Sequence, residues 1–254
     1  MDLPSVGLGT MRINDPEPIL TALAAGYRHI DTAQIYDNQD VVGDALDKTK
    51  VSLDSVTIAT KLWVDALAAE RVESAARESA DLLGVDTLDL LYVHRPRGRY
   101  DRATTLAAFD RIVNKGLVDD VGVSNFELEE LNQAVDTLET PLSAHQTELH
   151  PLYYKPELLE HARKYGYTVV GYSPLAGGRV NEIDVITDIA DTHETTPEAV
   201  AIAWAVNKDP VVTIPKASSE RHIYANLDAA ELNLTTAQID AIDSIEREKE
   251  LYPE

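Results

Sequence analysis

HIDTAQIYDN, residues 29–38, sets a short apolar step ending in Asp31 five residues ahead of Tyr36. A buried strand that hands its last residue and the following loop to a pocket reads this way, and so does an ordinary strand and turn. The rest of the chain decides between them. Working outward, runs rich in β-branched and apolar residues recur as YRHID (27–31), VTIATKL (56–62), LDLLYVH (88–94), DVGVSN (120–125), AHQTEL (144–149), TVVGYSP (168–174), VVTIPK (211–216) and, weakly, LDAAEL (227–232). Between them lie stretches with helical spacing, among them 69–83, 104–115, 128–138 and 155–165. Asp101 stands where a cap would open one helix, and Thr196, Pro197 and Glu198 open another ahead of AVAIAWAV.

Strands alternating with helices imply right-handed crossovers and a parallel sheet. The polar residues Asp31, Lys61, His94 and Asn125 end four successive runs and fall 30, 33 and 31 residues apart, one strand-plus-helix unit each. An open doubly wound sheet gives the same alternation. Eight strands within 254 residues fit a closed (β/α)8 TIM barrel better, a single domain over 1–254 whose strand ends converge on one mouth. No linker or low-complexity stretch breaks the chain.

Composition narrows the function. Lysine and arginine number 22 against 44 acidic residues, a formal net charge of −22. Such a surface repels nucleic-acid backbones and anionic lipid, so neither is an expected partner. The acids are spread over predicted helix surfaces (Asp119, Asp120, Glu127, Glu129, Glu130) and form no tail. Excess acid with nine lysines reads as halophilic adaptation to a salty cytoplasm. Cysteine is absent, which excludes disulfides, thiolate metal sites and cysteine nucleophiles. No run approaches the length of a membrane span, and MDLPSVGLGT lacks the pattern of a secretion signal. The expectation is a cytoplasmic monomer.

If the barrel closes, Asp31, Lys61 and His94 meet at its mouth and Tyr36 arrives on a loop. An ammonium beside a phenol favours phenolate, and lowering its pKa by two or three units asks about 3–4 kcal/mol of the site. Asp31 would aim Lys61, and His94 would orient a carbonyl oxygen. Such a site protonates an oxygen as charge develops on it. A metal is not expected: His145, Glu148 and His150 are close in sequence but run directly into Pro151. Taken one at a time, His94 and Asp31 are ordinary structural residues, Tyr172 a core aromatic and Gln146 a strand-end hydrogen bonder.

HIDTAQIYDN, TKLW, LLYVH, GVSNF, GYSPLA and IPKASS, in that order, resemble the consecutive signatures of the aldo-keto reductases, from GLGTM to NLDAAELNL. The pattern is nearest to short microbial 2,5-diketo-gluconate reductase-like members. That resemblance implies a (β/α)8 barrel binding an extended nicotinamide dinucleotide, usually NADPH with NADH possible. It also implies reduction of small aldehydes or ketones, with Asp31, Tyr36, Lys61 and His94 as the tetrad and Tyr36 the general acid. By the same resemblance Ser124, Asn125 and Gln146 hold the carboxamide, Tyr172 stacks beneath the ring, and Ser173, Pro174, Leu175 and Gly177 follow the pyrophosphate. Lys216, Ala217, Ser218, Arg221, His222 and Asn226 take the adenosine end. Gly9 and Thr10 floor the pocket; GLGTM has too few glycines, and no helix after it, for a Rossmann fingerprint.

Two departures matter. His222 stands where many members carry an arginine for the 2′-phosphate, with Arg221 one residue earlier, which weakens the preference for NADPH. Arg95, in YVHRP, stands where many relatives have tryptophan. Between Trp63 and Phe126 as apolar walls it points to polar or anionic carbonyls such as keto sugars, keto acids or methylglyoxal; a solvent-facing arginine beside Arg97 and Arg99 is the other reading. The residues alone also permit a Schiff-base aldolase using Lys61, and the resemblance also admits a nucleotide-binding regulatory subunit without turnover.

Overall fold

The computed structural model describes residues 1–246 and 249–252. Eight parallel strands run in sequential order: β1 (Leu8–Gly9), β2 (His29–Asp31), β3 (Thr57–Leu62), β4 (Leu88–Val93), β5 (Val118–Ser124), β6 (Leu142–Glu148), β7 (Thr168–Tyr172) and β8 (Val211–Thr213). The last meets the first through a parallel Val6–Thr213 bridge and the bonds Gly7 N to Thr213 O (2.8 Å) and Gly9 N to Pro215 O (3.3 Å). Closure demands glycine at residue 9, because a Cβ there would sit 2.7 Å from Ile214 O. The expected (β/α)8 barrel is therefore what the chain forms.

Helices fill the connections: α1 (Glu17–Ala25), α2 (Gln39–Lys48), α3 (Val72–Leu83), α4 (Arg102–Asn114), α5 (Leu128–Thr137), α6 (Pro156–Tyr165), α7 (Asp184–Thr192) and α8 (Pro197–Val206), with α9 (Glu220–Asp228) and α10 (Thr236–Asp243) after β8. The expected caps act as such: Asp101 accepts from Thr104 N at 2.9 Å and Thr196 from Ala199 N at 3.2 Å. On α3, Val72, Ala75, Ala76, Ser79, Ala80 and Leu83 are buried at helical spacing against the sheet.

Strand alternation splits the core in two. Ile58, Leu62, Leu91 and Val93 face the helix layer, whereas Ala59, Leu90, Tyr92, Ala144, Val170 and Val212 fill the lumen. The Tyr92 ring lies where a Cβ on Gly122 would be, 2.5 Å from its carbons. The lumen is thus plugged, and chemistry is confined to its rim.

Two strand expectations are corrected. LDAAEL ends α9 and continues as a 3-10 turn, Ala229–Glu231. It is built of good helix formers without a β-branched residue. The eighth strand is instead Leu8–Gly9, so Asp31 ends the second barrel strand and not the first.

Candidate active site

The segment after β2 is shaped by its own polar side chains. Gln34–Tyr36 form a 3-10 turn, Asp37 follows in the left-handed region (φ 53°), and Asn38 turns inward to full burial. Asn38 Nδ2 donates to Thr10 O and Ile13 O, both at 2.8 Å, while its Oδ1 accepts from Thr32 Oγ1 at 3.0 Å. Gln34 Oε1 accepts from Trp63 N at 2.9 Å. These bonds lash the loop bearing Tyr36 to those after β1 and β3.

Below the loop, Lys61 Nζ donates to Asp31 Oδ1 at 2.5 Å and to Thr32 O at 2.7 Å. The other Asp31 oxygen accepts from Gln146 Nε2 at 2.7 Å. The carboxylate is satisfied on both sides although it is buried. Lys61 Nζ lies 5.2 Å from the centre of the Tyr36 ring. Edge-on packing completes the group: His94 meets Tyr36 at 6.1 Å and Trp63 at 4.9 Å between ring centres.

The electrostatics correct one expectation. Burial raises the Tyr36 phenol above the ordinary tyrosine value and outweighs the opposing pull of Lys61. The proton therefore stays on Tyr36, the form a proton donor needs. His94 is driven down to about 2 by burial, with Lys61 and Arg95 adding to the effect, so its imidazole is neutral across the physiological range.

Asp31, Tyr36 and His94 line a single cleft of about 260 Å³ together with Gly9, Thr10, Trp63, Arg95, Ser124, Asn125, Gln146, Tyr172, Ser173 and Lys216. Lys61 lies just beneath. Asn125, left-handed at φ 59°, donates to His94 O (3.0 Å) and accepts from Tyr172 OH (2.9 Å). Beyond β7, Ser173, Ala176, Gly177 and Gly178 all take positive φ, giving a tight turn that includes Gly177, with Pro174 and Leu175 inside it. On the opposite flank Lys216 Nζ donates to Ser218 Oγ at 2.9 Å beside the N-terminus of α9. There Arg221 and His222 are exposed, while Ala217 and Asn226 are buried.

Phe126 is corrected. It lies outside the cleft, 2% exposed and edge-on to Tyr100 at 5.6 Å between centres, because the left-handed turn at Asn125 carries it into the core. The sequence reading also missed four lining residues, Met11, Ile35, Ile214 and Tyr252. Tyr252 arrives by a long route: Glu148 accepts from Leu251 N (2.7 Å) and Tyr252 N (3.0 Å), and His150 Nε2 holds the same carboxylate at 2.8 Å. That use of Glu148 and His150 was not visible from their spacing. No cluster of His, Cys, Asp and Glu suited to a metal occurs among the described residues, and no described helix is long and apolar enough to cross a membrane.

Comparison with known proteins agrees in sequence and in shape. An aldo-keto reductase of Mycolicibacterium smegmatis is 35% identical over 99% of this chain and 93% of its own length. The methylglyoxal reductase DkgB of Yersinia pestis is 32% identical over 99% of this chain and 96% of its own. The crystal structure of an aldo-keto reductase from a Medee basin deep-sea metagenome superposes with a TM-score of 0.95 at 29% identity, covering 100% of this chain and 95% of that one. The model of the aldo/keto reductase family matches residues 5–247, so the chain belongs to that family of oxidoreductases.

Proposed function

We propose that the protein reduces small aldehydes and ketones to alcohols with a nicotinamide dinucleotide, Tyr36 acting as general acid. The observation that carries this reading is the convergence of a protonated phenol, a neutral imidazole and a buried Lys61–Asp31 pair on one cleft. Neutral His94 orients the carbonyl oxygen by hydrogen bonding. As that oxygen gains charge, the Tyr36 O–H bond breaks, its proton passes to the substrate oxygen, and the phenolate left behind faces the Lys61 ammonium.

The residues fit the cofactor that the family implies. Ser124, Asn125 and Gln146 present hydroxyl and amide groups at one end of the cleft, and the partly exposed ring of Tyr172 offers a flat wall. The left-handed turn through Gly177 and Gly178 admits close backbone approach, while Lys216 and the start of α9 bring positive charge. When bound, a reduced nicotinamide supplies the hydride that the carbonyl carbon receives. An exposed His222 in place of a guanidinium fork supports NADPH over NADH by a reduced margin. Methylglyoxal-like and keto-sugar carbonyls suit the modest cleft volume.

A panel of aldehydes, ketones and sugars assayed with NADPH and NADH at the nicotinamide absorbance band tests the reading. Substrate-dependent oxidation is expected, and Tyr36→Phe should abolish most of it while binding cofactor nearly as the parent does. A Tyr36→Phe variant with the parent rate overturns the acid assignment.

A further inference from the structure

Glu148 and Tyr172 are register partners at the ends of β6 and β7, so their side chains leave the sheet on the same face at the barrel mouth. Tyr172 lines the cleft and Glu148 does not. The Glu148 carboxylate is 4% exposed, and what it holds is a remote backbone: Oε1 accepts from Leu251 N at 2.7 Å and Oε2 from Tyr252 N at 3.0 Å. A third donor comes from the fully buried His150. Leu152 N donates to His150 Nδ1 at 3.2 Å, so the proton of the neutral ring sits on Nε2, 2.8 Å from Glu148 Oε1. His150 thus fastens the carboxylate without needing a charge.

The gripped segment, residues 249–252, crosses the mouth over β6 and β7. Lys249 N donates to Leu152 O at 2.8 Å, which moors one end of it to the connection after β6. Leu251 Cδ1 lies 3.7 Å from where a Cβ on Gly177 would be, in the left-handed turn past β7. Tyr252 meets the Tyr172 ring edge-on, 5.7 Å between centres and 76° between planes. Tyr172 is therefore held at its ring by Tyr252 and at its hydroxyl by Asn125, 2.9 Å away. Tyr252 itself is 40% exposed, so side-chain packing is a weak hold, and the backbone bonds to Glu148 set its place.

Resting on the reductase reading above, we infer that Glu148 is a positioning residue for the nicotinamide cofactor, acting through Tyr252 on the Tyr172 ring. The Tyr172 wall and the Gly177 turn are the two features which that reading gives to the nicotinamide and the pyrophosphate, and Leu251 and Tyr252 each touch one of them. Burying a carboxylate is costly, and an apolar side chain would fill the same space without that cost. What the carboxylate adds is a pair of charge-assisted bonds to two successive N–H groups, which fix the direction of the segment as well as its place.

Hydrogen exchange on the full chain without cofactor reads the grip directly. The Leu251 and Tyr252 amides should exchange about tenfold faster or more in Glu148→Ala than in the parent, with Glu148→Gln, which keeps one acceptor oxygen, in between. Titration with NADPH, followed by quenching of tryptophan fluorescence with Trp63 in the cleft, reads the consequence. Kd should rise about three- to tenfold in Tyr252→Ala and by a similar factor in Glu148→Ala, the scale of one lost aromatic contact. Because the carboxylate acts through the tyrosine, adding Glu148→Ala to Tyr252→Ala should raise Kd by less than about twofold more. Tyr252→Ala changes an exposed side chain, so the test stands even where Glu148→Ala does not fold. A parental Kd in Tyr252→Ala would overturn the inference. So would effects of the two substitutions that multiply in full, since Glu148 would then be merely structural. Failure of the parent to bind NADPH or NADH, with no carbonyl of the wider panel reduced, would instead sink the reductase reading itself.

Discussion

Lys61 Nζ lies 2.5 Å from Asp31 Oδ1, with both side chains closed to solvent. A pair this deep is costly to break, because removing one partner strands the other charge in a low-dielectric interior. Lys61→Met should destabilise the fold by about 3–5 kcal/mol in urea unfolding and abolish carbonyl reduction. The same bonding argues against a Schiff base, since Nζ donates to Asp31 and to Thr32 O. Borohydride trapping with an aldehyde should give no adduct at Lys61 by mass spectrometry. An adduct there, or a Lys61→Met variant of parental stability and rate, would refute this account of the pair.

Asn38 does not line the cleft, yet it bonds the loops after β1 and β2 through three hydrogen bonds at full burial. Asn38→Ala leaves two carbonyls and a hydroxyl without that partner, at about 1–3 kcal/mol for each group left unpaired. Because Tyr36 rides on this loop, kcat should fall at saturating cofactor even at temperatures where the variant is fully folded. An Asn38→Ala protein with lowered stability and unchanged kcat would make the residue merely structural.

Much of this was legible in the chain because a barrel repeats its grammar. A polar residue ending each of several evenly spaced apolar runs points to a common mouth, and Asp31, Lys61, His94 and Asn125 do converge there. Shorter or longer-range signals escaped. Leu8–Gly9 is too brief for any periodicity to appear. LDAAEL alternates enough to imitate a weak strand, yet its helix-forming residues follow α9. Phe126 follows a residue whose left-handed backbone no local pattern announces. Tyr252 reaches the cleft through a carboxylate more than 100 residues earlier, a contact of tertiary structure only. The sign of the Tyr36 shift depended on how deeply the loop buries the phenol, which no spacing reveals.

The formal charge of −22 predicts a dependence on salt. At 0.01 M ionic strength charges interact over about 30 Å, and at 1 M over about 3 Å, so added salt relieves repulsion across the whole surface. The thermal midpoint should rise as potassium chloride increases from 0.05 to 2 M. Potassium chloride separates this screening from the exclusion effects of sulfate. A midpoint that is already maximal in dilute buffer would remove the case for halophilic adaptation.

Three buried histidines predict a loss of stability in mild acid. Burial holds His29 down to about 4, His145 to about 3 and His94 to about 2, each below the ordinary imidazole value of 6.5. His29 and His145 have neither ring nitrogen bonded, so no hydrogen bond rewards protonation, and at His29 burial outweighs the attraction of Asp31. The sign follows: below pH 6.5 the unfolded chain takes up three protons that the folded chain refuses, and acid favours unfolding. Stability is complete above about pH 6.5 and declines as pH falls towards the folded values. Between pH 6.5 and 5 each histidine removes about 1.5 kcal/mol, about 5 in total, in a window above the ordinary carboxylate range. Urea unfolding at fixed ionic strength should show this decline, and His145→Asn should shallow its slope by about one proton. A midpoint constant from pH 7.5 to 5 would mean that these imidazoles take up protons as readily folded as unfolded.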